Sequence, residues 1–214
     1  MPSAGPHDPE DTVGEERVVS LAFSNFDVST KQIFWGNILL AVCCAFYLAW
    51  WLLAFKPVGA VKGIKTGWLL IPAFAAGLAA VILLLRGIGA AAVTTELFPI
   101  RYVLLGGAAA YVILLAATLL LLKRPVTTEL FLIVGWAMLA LAEVNTLYGT
   151  GRFSHGASLA LSVVIGAAAL VSLVCYVLYY KLDSGAGYLD GMVPLLLAAL
   201  IMVGISIGMV LRRA

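Results

Sequence analysis

The sequence predicts an all-α polytopic integral membrane protein, a six-transmembrane-helix bundle with a disordered N-terminal tail. Three observations carry this reading. Of the 214 residues, 63% are hydrophobic and only 11% charged, whereas a soluble domain is about 45–50% apolar and about 25% charged. The apolar residues gather in six runs, at about 33–55, 67–86, 101–122, 128–149, 157–181 and 190–211. Each run is close to the roughly 20 residues that a helix needs to cross the hydrocarbon core.

Residues 1–32 form an acidic tail. Asp8, Glu10, Asp11, Glu15, Glu16 and Asp27 outweigh Arg17 and Lys31, and Pro2, Pro6 and Pro9 punctuate its start. Low hydrophobicity with high charge predicts disorder. No basic stretch followed by an apolar core opens the chain, so no signal peptide is expected. The six-helix domain then runs over 33–214.

The first span, 33–55, carries no charge and has Trp35 at one end and Tyr47, Trp50 and Trp51 at the other. Aromatic rings with a polar edge favour the headgroup level, so both ends are marked. Lys56-Pro57 stops it. The second, 67–86, opens at Trp68, carries Pro72 one turn in, and ends at Arg86. Its Ala75-Ala76-Gly77 offers a small-residue packing face. A weakly apolar connector leads to residue 98. The third span, 101–122, holds Gly106 and Gly107 and stops at Lys123-Arg124-Pro125. The fourth, 128–149, runs into Tyr148-Gly149-Thr150-Gly151, a turn signal. The fifth, 157–181, ends in Tyr176, Tyr179, Tyr180 and Lys181, and a Gly-rich turn over 183–190 follows. The sixth, 190–211, contains Gly204 and Gly208 in G-x-x-x-G spacing. That spacing predicts close contact with a neighbouring helix, within the bundle or in a second subunit.

One hexapeptide occurs twice. Val93-Thr94-Thr95-Glu96-Leu97-Phe98 recurs as Val126-Thr127-Thr128-Glu129-Leu130-Phe131. The copies precede consecutive, antiparallel spans, so one starts on each side of the membrane. Two readings follow. One is an inverted repeat of the kind that builds alternating access in secondary transporters. The other is a pair of similar helix starts, with threonine caps and with Glu96 and Glu129 at the positive end of the helix dipole.

Glu143 is the one acid deep inside a span, where a bare carboxylate costs several kcal/mol. Up-and-down folding brings Arg86, Arg101, Arg152, His155, Lys31 and Asn37 to the same membrane face. Glu143 is therefore expected to tie to Arg86 or Arg101, to line a solute or ion site with Arg86, Arg101 and Asn145, or to snorkel to the interface. Asn145 lies about 200° round the helix from Glu143, which weakens a site shared by the two. Glu96, Arg152 and His155 are lesser candidates, and Gly204, Gly208, Gly106 and Gly107 are candidates for helix packing.

Other chemistries find little support. Cys43, Cys44 and Cys175 lie inside apolar runs, and only His7 and His155 could join them, so no metal site is expected. The basic residues are scattered, which argues against nucleic acid. No Walker, dinucleotide, H-E-x-x-H, G-x-S-x-G or C-x-x-C pattern is present, so no catalytic residue is assigned and no enzyme is expected.

Pro99-Ile100-Arg101-Tyr102, opening the third span, resembles the same point in microbial rhodopsins, as do the short loops and the closing Leu211-Arg212-Arg213. The resemblance covers a few residues per helix. That family has seven helices and holds retinal through a lysine in the middle of the last. This chain has six spans, and residues 192–211 contain no lysine. Retinal is not carried over, no cofactor is expected and no family is claimed.

The expected function is small-solute or ion transport, with a non-catalytic accessory subunit or sensor as the alternative. The partners are the lipid bilayer, the solute or ion, and a homo- or hetero-oligomer through small-residue faces. The expected place is the plasma (cytoplasmic) membrane, with both termini on one side. Lysines 56, 62 and 65 in the first hairpin favour that side being outside.

Overall fold

The computed structural model describes residues 26–54, 66–121, 128–179 and 181–211. The tail expectation for 1–25 lies outside them. The helices are α1 (Val28–Ala54), α2 (Leu70–Ala90, led by a 3-10 turn at Thr66–Leu69), α3 (Ile100–Leu121), α4 (Thr128–Gly149), α5 (His155–Tyr179), α6 (Ser184–Asp190) and α7 (Val193–Leu211). Six of them are long and apolar enough to cross a membrane, the last counted together with α6. The chain is a multi-pass integral membrane protein.

Helix α1 starts five residues before the span predicted from hydropathy. Asp27 caps it: its carboxylate accepts from the Thr30 amide at 3.2 Å and from the Ser29 hydroxyl at 2.6 Å. Such bonds occupy backbone donors that a helix start leaves without partners. Ser29, Thr30 and Lys31 thus form a first helical turn rather than the end of a tail. Pro72 is the third residue of α2, where its missing N–H removes no helical bond. The Gly-rich stretch 183–190 is the short helix α6 instead of a turn. Asp183 caps it by accepting from the Ala186 amide at 3.0 Å.

Helix α1 packs on α2 and α7, α4 on α3 and α5, and α5 on α7. A central buried cluster joins Ile33 and Phe34 of α1, Leu84 of α2, Ala140, Val144 and Leu147 of α4, Ile165 of α5 and Met202, Ile205 and Met209 of α7. Between α1 and α2 the backbones approach through Gly36 and Gly87. A β-carbon on Gly36 would lie 2.6 Å from Leu84 Cγ, and one on Gly87 2.7 Å from Ile33 Cγ1.

Contacts at the helix ends show alternating directions. The start of α1, the end of α2, the 91–99 loop, the end of α4 and the end of α7 share one side, called here the terminal face. There Arg152 meets Asp27, Gly149 meets Thr94, and Gly208 meets Phe153. On the far face the end of α1 meets α6 and the end of α5. Trp51 Nε1 donates to the Tyr188 carbonyl at 3.1 Å, and its ring lies 5.9 Å from that of Tyr179.

The packing glycines divide. Gly107 of α3 lies tightly under Met138 of α4. A β-carbon on Gly106 or on Gly204 would have nothing within 4 Å, and one on Gly208 would meet only the Phe153 ring, at 3.2 Å. The G-x-x-x-G pair therefore makes no backbone-to-backbone seam among the described residues. Its first glycine points away from the bundle, and its second receives an aromatic side chain from the α4–α5 turn.

Candidate functional site

Glu143 is wholly buried, and so is Asn37. The bundle brings them together: Asn37 Nδ2 donates to Glu143 Oε1, joining α1 to α4. Glu143 lies six residues before Gly149, so about 9 Å inside the end of α4 at 1.5 Å per residue. Two oxygens of this pair, Glu143 Oε2 and Asn37 Oδ1, are buried and have no hydrogen-bond partner. Such orphans are uncommon, because a buried polar atom without a partner costs about 1–3 kcal/mol.

The arginines expected beside Glu143 are elsewhere. Arg86 and Arg101 are both exposed, and Arg101 stacks over its neighbour Tyr102, 5.1 Å from the ring centre. Among the described residues neither forms an ion pair with Glu143. Its tie is to Asn37, and full burial keeps its carboxyl from snorkelling to the interface. The sequence carried a signal for this partner: Asn37 is the single amide of the first span.

Asn145 serves a different purpose. Its Oδ1 accepts from the Leu97 amide at 2.8 Å and the Phe98 amide at 3.3 Å. Thr94 adds its amide and hydroxyl to the Gly149 carbonyl, at 3.2 and 3.0 Å. Gly149 leaves no room for a β-carbon beneath the Thr95 carbonyl and Val93. The first copy of the hexapeptide is thus a loop pinned to the end of α4. Thr94 caps no helix start, and Glu96 is exposed, four residues before α3 begins. In the second copy Val126 and Thr127 lie outside the described residues, and Thr128–Phe131 are helical. The four residues described in both copies take different backbones, irregular in Thr95–Phe98 and helical in Thr128–Phe131, so these four do not form a structural repeat.

Arg152 and His155 sit at the terminal face. Arg152 Nη2 lies 4.0 Å from Asp27 Oδ1, and its guanidinium covers the Phe26 ring at 5.2 Å. The His155 and Tyr148 rings meet edge to face, 5.8 Å apart. Partial burial pushes the Asp27 carboxyl up. Hydrogen bonds from Ser29 and Thr30, with the nearby Arg152 charge, outweigh it and hold Asp27 below the ordinary carboxylate range. These groups edge a cleft of about 330 Å³ lined by Asp27, Thr30, Thr94, Gly149, Thr150 and Arg152, among others.

No protein-family model, no curated protein and no solved structure matches the chain. The functional argument therefore rests on the geometry of these residues.

Proposed function

We propose that the chain is a small-solute or ion transport protein whose working group is the Glu143–Asn37 pair, with the proton or a small monovalent cation as the species it holds. The observation that carries the reading is a wholly buried carboxylate with one oxygen orphaned and no cationic side chain paired to it among the described residues. An ionisable residue inside a membrane bundle is expensive, and its default meaning is functional. The bare charge would go uncompensated, so the closed bundle favours a bound proton or cation there. The orphaned Asn37 Oδ1 beside it is a second acceptor suited to either. We take the membrane to be the cytoplasmic one and the terminal face to be outside, as the basic first hairpin favours.

The alternative is an accessory or sensor module. What favours it is closure: the terminal-face cleft is lined by residues above Glu143 and not by Glu143 itself. Flux in vesicles separates the two. The full chain, reconstituted with an internal pH dye and given a proton or sodium gradient, is expected to dissipate it. Glu143→Gln should abolish the flux. Equal flux in wild type, Glu143→Gln and protein-free vesicles would leave the accessory reading.

A further inference from the structure

The cleft and the buried pair are joined by two matching helix faces. On α4 and the turn that ends it, Glu143, Leu147 and Thr150 fall within about 60° of one another, with Thr146 about 60° from Glu143. On α1, Thr30, Phe34 and Asn37 fall within about 60°. The two faces meet at both ends. Thr30 and Thr150 line the same cleft, and Asn37 bonds Glu143. Inward from the terminal face, the order is polar, apolar, polar. Asp27, Thr30, Thr150 and Arg152 form the mouth. Phe34 and Leu147 come next, both buried in the central cluster. Asn37 and Glu143 lie beneath, each with an orphaned oxygen. Thr146, 4% exposed, sits beside this line, and its hydroxyl donates to the Ala142 carbonyl at 2.9 Å, leaving its lone pairs open.

We infer that Glu143 exchanges its proton with the terminal face along this α1–α4 seam, and that Phe34 and Leu147 are the plug that gates it. The axial distance from Thr150, just past the end of α4, to Glu143 is about 10 Å at 1.5 Å per residue, a span that a few waters bridge. In the loading step a hydronium at the mouth loses one O–H bond, the proton passes along water past the Thr146 hydroxyl, and a new O–H bond forms on Glu143 Oε2. Unloading is the reverse. No redox partner or leaving group is involved. Leu147 and Phe34 keep the seam dry when closed, so exchange requires them to move. At the mouth Asp27, held ionised, is the acid at the entrance, and the Arg152 guanidinium 4.0 Å away offsets part of its charge. The inference rests on Glu143 as the proton-holding group of the proposed function, but not on net transport.

The test is infrared spectroscopy of the full chain in lipid nanodiscs, following hydrogen–deuterium exchange of the carboxylic C=O band that Glu143→Gln removes. Thr146→Val is expected to slow exchange about tenfold, the scale of one lost hydrogen bond in the rate-limiting state. Leu147→Ala is expected to speed it by a similar factor, about tenfold, while Ile165→Ala, an equally buried core truncation off the seam, leaves it unchanged. A charged thiol reagent on Thr94→Cys should close the mouth and slow exchange, with no effect on wild type. Thr118→Val, on α3, should exchange as wild type. The inference is overturned by a missing Glu143-dependent band, by wild-type exchange in Thr146→Val, or by equal acceleration in Leu147→Ala and Ile165→Ala. Vesicles without Glu143-dependent flux, combined with seam-dependent exchange, would sink the transport reading alone. Flux with exchange indifferent to the seam would sink the seam alone.

Discussion

Gly87 lies so close to Ser29 that a β-carbon on it would sit 2.9 Å from the Ser29 carbonyl oxygen. The same β-carbon would be 2.7 Å from Ile33 Cγ1 and 3.0 Å from the Ile33 amide nitrogen. Backbone atoms of a helix cannot step aside as a side-chain tip can. Gly87→Ala must therefore push α2 off α1 at the terminal face, next to the cap made by Asp27. Overpacking of this kind costs about 1–3 kcal/mol. Gly89, two residues on, has nothing within 4 Å of the same position. Gly89→Ala should be neutral or stabilising, by up to about 1 kcal/mol, because alanine is the better helix former. Thermal unfolding in detergent compares the two, and equal melting points would contradict the close approach.

Asn145 is 3% exposed and holds the loop before α3 by two backbone amides. Asn145→Leu keeps the volume but orphans both N–H groups, at a cost of about 1–3 kcal/mol. The loss should be local. Amide exchange at Leu97 and Phe98 should accelerate, with exchange in α5 and α7 unchanged. Uniform acceleration across the bundle would show that Asn145 supports the global fold instead.

This anchor also shows where sequence reading stopped. The six spans were legible because bilayer thickness leaves apolar runs of that length one solution, and their ends carry Trp51, Arg86 and Tyr179 as expected. The start of α1 was missed because hydropathy counts Asp27, Ser29 and Thr30 as polar, while a helix start uses just such groups. The hexapeptide misled for a related reason. Thr-Thr-Glu suits a helix start, but Thr94 and Leu97 found better partners in Gly149 and Asn145, which no local pattern reveals. Glu143 was visible as a costly residue. Its partner was legible only as the lone amide of the first span: charge points to Arg86 and Arg101, but both remain exposed at the rim and the neutral Asn37 reaches it.

Asp27 gives a pH prediction. Its carboxyl is held below its ordinary value of 3.8 by the Ser29 and Thr30 bonds and by Arg152, in spite of some burial. A depressed folded value means that its ionised form stabilises the fold above 3.8 and that the contribution is lost as pH falls below it. The melting point should therefore drop between about pH 4 and pH 2. Asp27→Asn should lower the melting point at pH 7 and flatten the acid limb. The effect is small, since the Asp27 side chain is 59% exposed and solvent screens it. An acid limb identical in Asp27→Asn would assign the loss to other carboxyls.

The Asn37–Glu143 pair separates stability from function. Asn37→Leu strands a buried carboxyl and should cost about 1–3 kcal/mol. Glu143→Gln keeps an acceptor for Asn37 Nδ2 and brings no charge, so it should be near neutral. Replacing both partners with leucine removes every polar atom of the pair and should recover most of the loss, as apolar substitution of a buried polar pair often does. A double-mutant cycle read by thermal unfolding measures this coupling. If the pair existed only to hold α1 against α4, the double-leucine protein would keep whatever activity the wild type has. The proposed role requires the opposite: a bundle of wild-type stability with neither the exchangeable carboxyl nor the flux. An active double-leucine protein would end the assignment of function to Glu143.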